Sequence, residues 1–390
     1  MSDIIPENSE IFSHIFEEIS EKGGLSVVLQ GGLFPDNLIE FANHVRHMRE
    51  TFPNAQIIAS ISSSNLIYST ESAGKEIRRY NKRISNTIQA DALQIILDEA
   101  EIVFGHGGLP LPRIKSDMKE SAKNNFNLQL SAAQAGLAIA KGKYTLRVRS
   151  DVIFTDHSFL NYYTDRVNLE RKNPKTDQRL LVSSIFTLNP YLKERLPFHY
   201  SDWFHFGLTS DIVALWKAEP IKYAQSVYYC NHPYPEDALS YEKLTLTRFA
   251  VEQHLNFPYY REKLNLAPLD RHNDPRYRDL SMQILLDDFV IVHPKDCNVV
   301  FGKYQSSFND KNLELVCVSP HEWDYLAMNR EVTPRLYFEK KIKIVKKISI
   351  YNIIDLEIRN LIGDLYFFFF RKMPGAGKSF LERIWRSLTI

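Results

Sequence analysis

The hydrophobic positions of this chain switch between two periods. Leu25-Ser26-Val27-Val28-Leu29 is a short apolar run that predicts a buried strand, closed by Gln30-Gly31-Gly32. From about Asn37 the spacing becomes helical. Leu38, Phe41, Ala42, Val45 and Met48 fall on one face, and Glu40 follows Asn37 at capping-box distance. Gln56 to Ile61 predicts a second strand, running into the polar loop Ser62-Ser63-Ser64-Asn65. A helix over Thr87 to Glu99 leads to a third strand, Ile102-Val103-Phe104, which ends in Gly105-His106-Gly107-Gly108. Phe126, Leu130, Ala133, Leu137 and Ala140 recur at helical spacing between Asn124 and Lys141, with Gly142 as terminator before a fourth strand from Tyr144. After a helical opening at Ile11 to Glu21, the order is β-α-β-α-β-α-β. It predicts an α/β fold with a Rossmann-type, mostly parallel sheet flanked by helices.

The fourth strand carries unusual chemistry, Arg147-Val148-Arg149-Ser150-Asp151. Side chains alternate across a strand, so Arg147, Arg149 and Asp151 are expected on one face. Ligands gather at the carboxyl ends of strands in open α/β sheets, so this face is expected to meet an anion such as a phosphate. The plainer alternative is an Arg–Asp salt bridge closing a strand end. Gln30, Gly31, Gly32, Ser60 and Ser62, at the ends of the first two strands, share that edge. Small residues there let a ligand approach the backbone, although ordinary tight turns have the same composition.

The second half is less regular. Asp165 to Arg179 reads as a polar surface loop, and Leu180 to Phe186 and Phe289 to Val292 read as strands. Ser201-Asp202-Trp203-Phe204-His205-Phe206-Gly207 places a carboxylate beside alternating aromatics, which suits a sugar face but also plain core. Ser210-Asp211 is expected to cap a helix running to Trp216, and Glu252 lies in a later helix.

Composition adds limits. The chain has 390 residues, 44% of them hydrophobic and 24% charged, which is globular usage and excludes wholesale disorder. The three cysteines, Cys230, Cys297 and Cys317, give neither a paired framework nor a CxxC site. Met1-Ser2-Asp3 lacks the layout of a signal peptide, so a cytoplasmic location is expected. The net charge of +1 hides an asymmetry: residues 331–390 hold 12 Lys and Arg against 6 Asp and Glu. That tail, with Leu365-Tyr366-Phe367-Phe368-Phe369-Phe370 followed by Arg371-Lys372, is too short in apolar length to span a bilayer. It suits a peripheral place on an anionic membrane surface, such as the inner face of the bacterial inner membrane, or a helix pair packed on the body or on a second subunit. The acidic body and the lack of a reading motif exclude nucleic acid as a partner. Domains are expected at 1–330 (a nucleotide-binding half over about 25–155 and an acceptor half over about 156–330) and at 331–390.

Several motifs fail. Gly375-Ala376-Gly377-Lys378-Ser379 lacks the first glycine of a phosphate loop, because Lys372 stands there. No GxGxxG opens a βαβ unit, and neither GxSxG nor HExxH occurs.

The order of elements resembles the GT-A fold of nucleotide-sugar glycosyltransferases. More narrowly, the chain resembles the WavE lipopolysaccharide-synthesis family, through Leu29-Gln30-Gly31, Gln134-Ala135-Gly136-Leu137, Tyr144 to Asp151, Ser201 to Gly207 and Glu252-Gln253, spanning roughly 25–305 with 331–390 outside. The resemblance implies sugar transfer from a nucleotide-diphosphate donor to a surface-glycan acceptor, lipopolysaccharide or capsule. Asp202 or Glu252 would be the general base, and Arg149 and Asp151 would manage the diphosphate. Gln30, Gly31, Gly32, Ser60, Ser62, Arg147 and Ser150 would complete the donor site, with Trp203 and His205 on the acceptor. The chain departs from the usual GT-A metal motif, because Arg149 stands where the first of two carboxylates is expected. Asp151 would then hold Mg²⁺ or Mn²⁺ without that partner, or the arginines would neutralise the diphosphate themselves. A sugar nucleotidyltransferase and a non-catalytic, membrane-associated assembly partner are the alternatives.

Overall fold

The computed structural model describes residues 14–33, 35–62, 87–239, 242–301 and 305–344. Contacts divide the chain into two compact units, residues 1–336 and 337–390. In the second unit only residues 337–344 are described, and 339–344 are helical. The aromatic run Leu365 to Phe370, the segment Gly375 to Ser379, the N-terminus at Met1 and the loop residues Ser63 to Asn65 lie outside the described residues.

The first unit is built on a seven-stranded sheet of order β3-β2-β1-β4-β7-β6-β8. Its strands are β1 (Leu25–Gly31), β2 (Gln56–Ser62), β3 (Glu101–Gly105), β4 (Tyr144–Arg149), β6 (Leu180–Ser183), β7 (Phe204–Leu208) and β8 (Phe289–Val292). Neighbouring pairs run parallel except at β7, which is antiparallel to both β4 and β6. A two-stranded antiparallel sheet pairs β5 (Val152–Phe154) with β9 (Val299–Phe301). The longer helices are α1 (Leu38–Thr51), α2 (Thr87–Glu99), α3 (Phe126–Ala138), α4 (Ser158–Val167), α5 (Thr209–Leu215), α6 (Val251–Leu264), α7 (Arg278–Asp288) and α8 (Pro320–Met328). No helix among the described residues is long and apolar enough to cross a membrane.

Residues Leu25 to Gln30 of β1 are all buried, as a parallel strand covered on both faces requires. α3 packs on β1, β2 and β3, and its small residues set the spacing. A Cβ on Gly136 would come within 2.5 Å of Val28 Cγ1 and 2.8 Å of Ser60 Cβ. Glycine is therefore the residue that fits between this helix and the sheet.

Some local expectations change. Asn37 does not cap α1; its Nδ2 donates to Gly32 O at 2.8 Å, tying down the loop after β1. Asp211 sits inside the first turn of α5 and accepts from the backbone N–H of Asp177 and of Gln178, both at 3.0 Å. Residues 165–167 belong to α4, and Arg179 is wholly buried, donating to Val167 O, Leu286 O and Glu170 O. The polar run to Arg179 is thus pinned from inside by a guanidinium, because its side chain supplies donors for carbonyls that secondary structure leaves unpaired.

Candidate active site

A cleft of about 850 Å³ opens at the carboxyl ends of β1, β2 and β4. Gln30, Gly31, Gly32, Ser62, Arg149, Ser150 and Asp151 line that end, and Asp202, Trp203 and Glu252 also reach it. β4 stops at Arg149, so Asp151 reaches the cleft through a turn and not by strand alternation. The turn is held from below: Ser150 N donates to Gln30 O at 2.8 Å, and His44 Nδ1 lies 3.1 Å from Ser150 O. Burial pushes the His44 imidazole down to about 4, so it is neutral and Nδ1 carries the proton that Ser150 O accepts. Arg149 grips Asp151 with two nearly parallel bonds, Nε to Oδ1 at 3.0 Å and Nη2 to Oδ2 at 2.7 Å.

The two arginines have different fates. Arg147 has no exposed surface and does not line the cleft. Its register explains why: Arg147 pairs across the sheet with His205 on β7, and Trp216, just after α5, covers both. The guanidinium lies 4.0 Å from the Trp216 ring, its Nε donates to Gln30 Oε1 at 2.7 Å, and it also donates to Asp202 O. Gln30 Nε2 donates to Gln129 O at 2.8 Å, and Gln129 Nε2 donates to Asp202 Oδ2 at 2.5 Å. Arg147, Gln30, Gln129 and Asp202 therefore close a ring of hydrogen bonds under the cleft floor. Arg147 is a buried strut for that floor, and the expectation that it meets a ligand anion is corrected.

Two further expectations are corrected for the same reason, burial under a packed layer. Ser60 is fully buried and donates to Ala132 O beneath α3, so it does not reach the cleft. His205 has no exposed surface and accepts from Trp216 Nε1 at 3.4 Å; burial and then the nearby Arg147 hold its imidazole well below the usual range. It cannot serve as an acceptor platform. Trp203 lines the cleft but is 3% exposed, its ring 4.0 Å from that of Phe301.

Glu252 stands in the first turn of α6, where the helix dipole favours a carboxylate. Its Oε2 lies 3.1 Å from His199 Nε2, while His199 Nδ1 donates to Phe186 O at 2.9 Å. With an acceptor at each nitrogen the imidazolium is the favoured form. Burial opposes the charge, but the Glu252 carboxylate outweighs it and raises His199 to about 8. Glu252 is held below the usual carboxylate range, because His199 overcomes the burial that would raise it. Asp202 moves the other way: burial first, and the Glu252 charge second, raise its carboxyl against the pull of Arg149 and Arg147. The cleft thus holds two carboxylates whose proton affinities are driven apart, an arrangement suited to acid–base work.

The pattern of periods gave no sign of His199 or Gln129. His199 stands three residues before Asp202, and that proximity to a flagged segment was the available clue. Asp151 was a candidate ligand for Mg²⁺ or Mn²⁺. Both of its oxygens are taken by Arg149, and no group of three His, Cys, Asp or Glu converges among the described residues. These residues do not fit a protein-held divalent cation.

Fold and site together define an α/β protein with a cleft at the carboxyl edge of its parallel strands, equipped with a guanidinium and two carboxylates of opposed character. The chain belongs to the WavE lipopolysaccharide synthesis family, whose model matches residues 113–351, more than half of its length. The match starts after β3 and continues beyond residue 305 into part of the segment expected to lie outside it. A search among curated proteins finds no match. Family membership connects the chain to lipopolysaccharide synthesis.

Proposed function

We propose that the protein is a GT-A-like glycosyltransferase that moves a sugar from a nucleotide-diphosphate donor onto a lipopolysaccharide glycan. The observation that carries this reading is the Arg149–Asp151 pair at the end of β4, beside Asp202 and Glu252 in one cleft. Asp151 holds the bidentate position on Arg149 that a phosphate fits, so donor binding exchanges one anion for another on a preformed fork. The nucleoside would lie at the end of the cleft lined by Gln30, Gly31 and Gly32. The acceptor hydroxyl oxygen attacks the anomeric carbon and the bond to the diphosphate oxygen breaks. The nucleoside diphosphate leaves with the electron pair, stabilised by Arg149. In an inverting course a carboxylate of the Asp202–Glu252 pair takes the hydroxyl proton.

The test is twofold. Calorimetric titration with UDP, GDP and CMP is expected to show binding of one nucleotide, abolished in Arg149→Ala. Asp202→Asn and Glu252→Gln are expected to lower transfer to lipopolysaccharide acceptors by about 100-fold or more, in the range for positioned acid–base groups. Folded double variants with undiminished transfer would reject the assignment.

A further inference from the structure

The geometry points to a second compartment of the cleft, beyond the His199–Glu252 pair, as the subsite that holds the acceptor saccharide. This rests on the glycosyl-transfer reading and says where that reaction's second substrate sits. Charged groups link the two parts of the cleft. Asp202 and Glu252 feel Arg149; Glu252 pairs with His199; His199 feels Glu194; and Glu194 acts in turn on His272 and Glu242. Lys115 lines the same cleft, with its Nζ 3.7 Å from Glu194 Oε1. Glu252 thus has Arg149 of the donor end and His199 among its charged neighbours, and an attacking hydroxyl has to arrive beside it.

Its polar lining is unfinished. Glu242, Thr247 and His272 line the cleft at 3%, 2% and 5% exposure. Among the described residues Glu242 Oε1, Thr247 Oγ1 and His272 Nε2 have no hydrogen-bond partner; Glu242 Oε1 and His272 Nε2 face each other at 3.9 Å, beyond hydrogen-bond distance. The rest of each group is well anchored. Glu242 Oε2 accepts from Leu239 N at 2.5 Å, and His272 Nδ1 lies 3.0 Å from Tyr229 Oη. Buried polar atoms are normally satisfied, so three orphans in one cleft wall call for a ligand. A carboxylate oxygen, a hydroxyl and an imidazole nitrogen together accept and donate, which matches the vicinal hydroxyls of a sugar and not a phosphate beside two carboxylates. Leu192 and Leu196 add apolar surface for the C–H face of a ring. The compartment also supplies the acceptor contacts that His205, buried beneath Trp216, does not.

The probe is the oligosaccharide pool released from lipopolysaccharide by mild acid, observed by saturation-transfer difference NMR with the full-length protein. The wild type is expected to bind it, and Thr247→Val and Glu242→Gln to weaken binding at least tenfold, while affinity for the nucleotide stays within twofold. Thr247→Val is nearly isosteric, and a thermal melt confirms its fold. No oligosaccharide binding by the wild type, or undiminished binding in both folded variants, would overturn the subsite. If the wild type binds oligosaccharide in a Thr247-dependent way but binds no nucleotide, the donor reading fails and the saccharide subsite stands.

Discussion

The two ends of the cleft are made by different means. The donor end is the edge of a sheet: Gln30, Ser62 and Arg149 take their places from strand register, with Gln30 directly opposite Arg149. The other end is walled by loops, residues 186–199 and 242–250, whose backbone is bent into place. Phe186, Lys193, Arg195 and Phe198 all have left-handed φ, at 64°, 43°, 55° and 58°. Each such residue costs on the order of 1–3 kcal/mol and persists only when its surroundings hold it. The holding groups are visible: His199 fixes Phe186 O, and Ser281 Oγ takes the N–H of Phe198 at 2.7 Å. A sheet edge thus supplies rigid positions without strain, whereas the loop wall reaches its shape through strain and buried polar anchors.

Arg147 and Arg149 offer the sharpest way to break that comparison, because the same side chain serves the fold at one position and the ligand at the other. Arg147→Met leaves Gln30 Oε1 and Asp202 O without a donor in a buried layer and removes the stack on Trp216. We expect a loss of about 3–5 kcal/mol in urea unfolding. Arg149→Ala removes a partly exposed ion pair and should cost under about 1 kcal/mol of stability. Its transfer rate should nevertheless fall about 100-fold or more, as when a preorganised donor to developing charge is lost. Equal effects of the two substitutions on stability would remove the distinction between strut and ligand.

The loop wall can be probed through pH. His199 rises from the ordinary 6.5 to about 8 in the folded protein, so its protonation favours folding. That contribution is complete below about pH 6.5 and disappears as pH rises through about 8. It amounts to roughly 2 kcal/mol over the full window. The difference in unfolding free energy between the wild type and His199→Gln should therefore shrink by that amount between pH 6 and pH 9. A difference independent of pH would mean that His199 is neutral and that Glu252 owes its ionisation to something else.

What the sequence made legible follows the same division. Thr87 to Glu99 and Phe289 to Val292 have the bounds their patterns predict, and β1, β2 and β3 run only one or two residues beyond theirs. Period and strand-end chemistry are local, and so were read directly. Arg149 and Asp151 were visible because two arginines and an aspartate are unexpected along a short strand. Arg147 misled because alternation gives the face of a strand and not what covers that face; Trp216 lies 69 residues further on. Gln129 and His199 stayed hidden for a related reason. Gln129 matters through Asp202, 73 residues away, and Gln30, 99 away, and His199 follows a left-handed Phe198 that no periodicity announces.

Gly31 gives the smallest effect and tests the rigid end directly. A Cβ at this position would stand 2.0 Å from Ser150 Oγ and 2.7 Å from Ser150 Cβ, so the end of β1 and the turn after β4 are in contact through the absence of a side chain. Gly31→Ala should cost about 1–2 kcal/mol, because the Ser150 hydroxyl can rotate away but its Cβ moves only with the turn. Since Ser150 N also bonds Gln30 O, the strain passes into the turn that carries Arg149 and Asp151, and transfer should fall more than stability does. Adding Ser150→Gly removes both clashing atoms, and the double variant should recover most of the lost transfer. Recovery ties the loss to contact between the two strand ends. A double variant no better than Gly31→Ala would mean that the glycine acts on its own backbone instead, and that the donor end is not the rigid pair of strand termini described above.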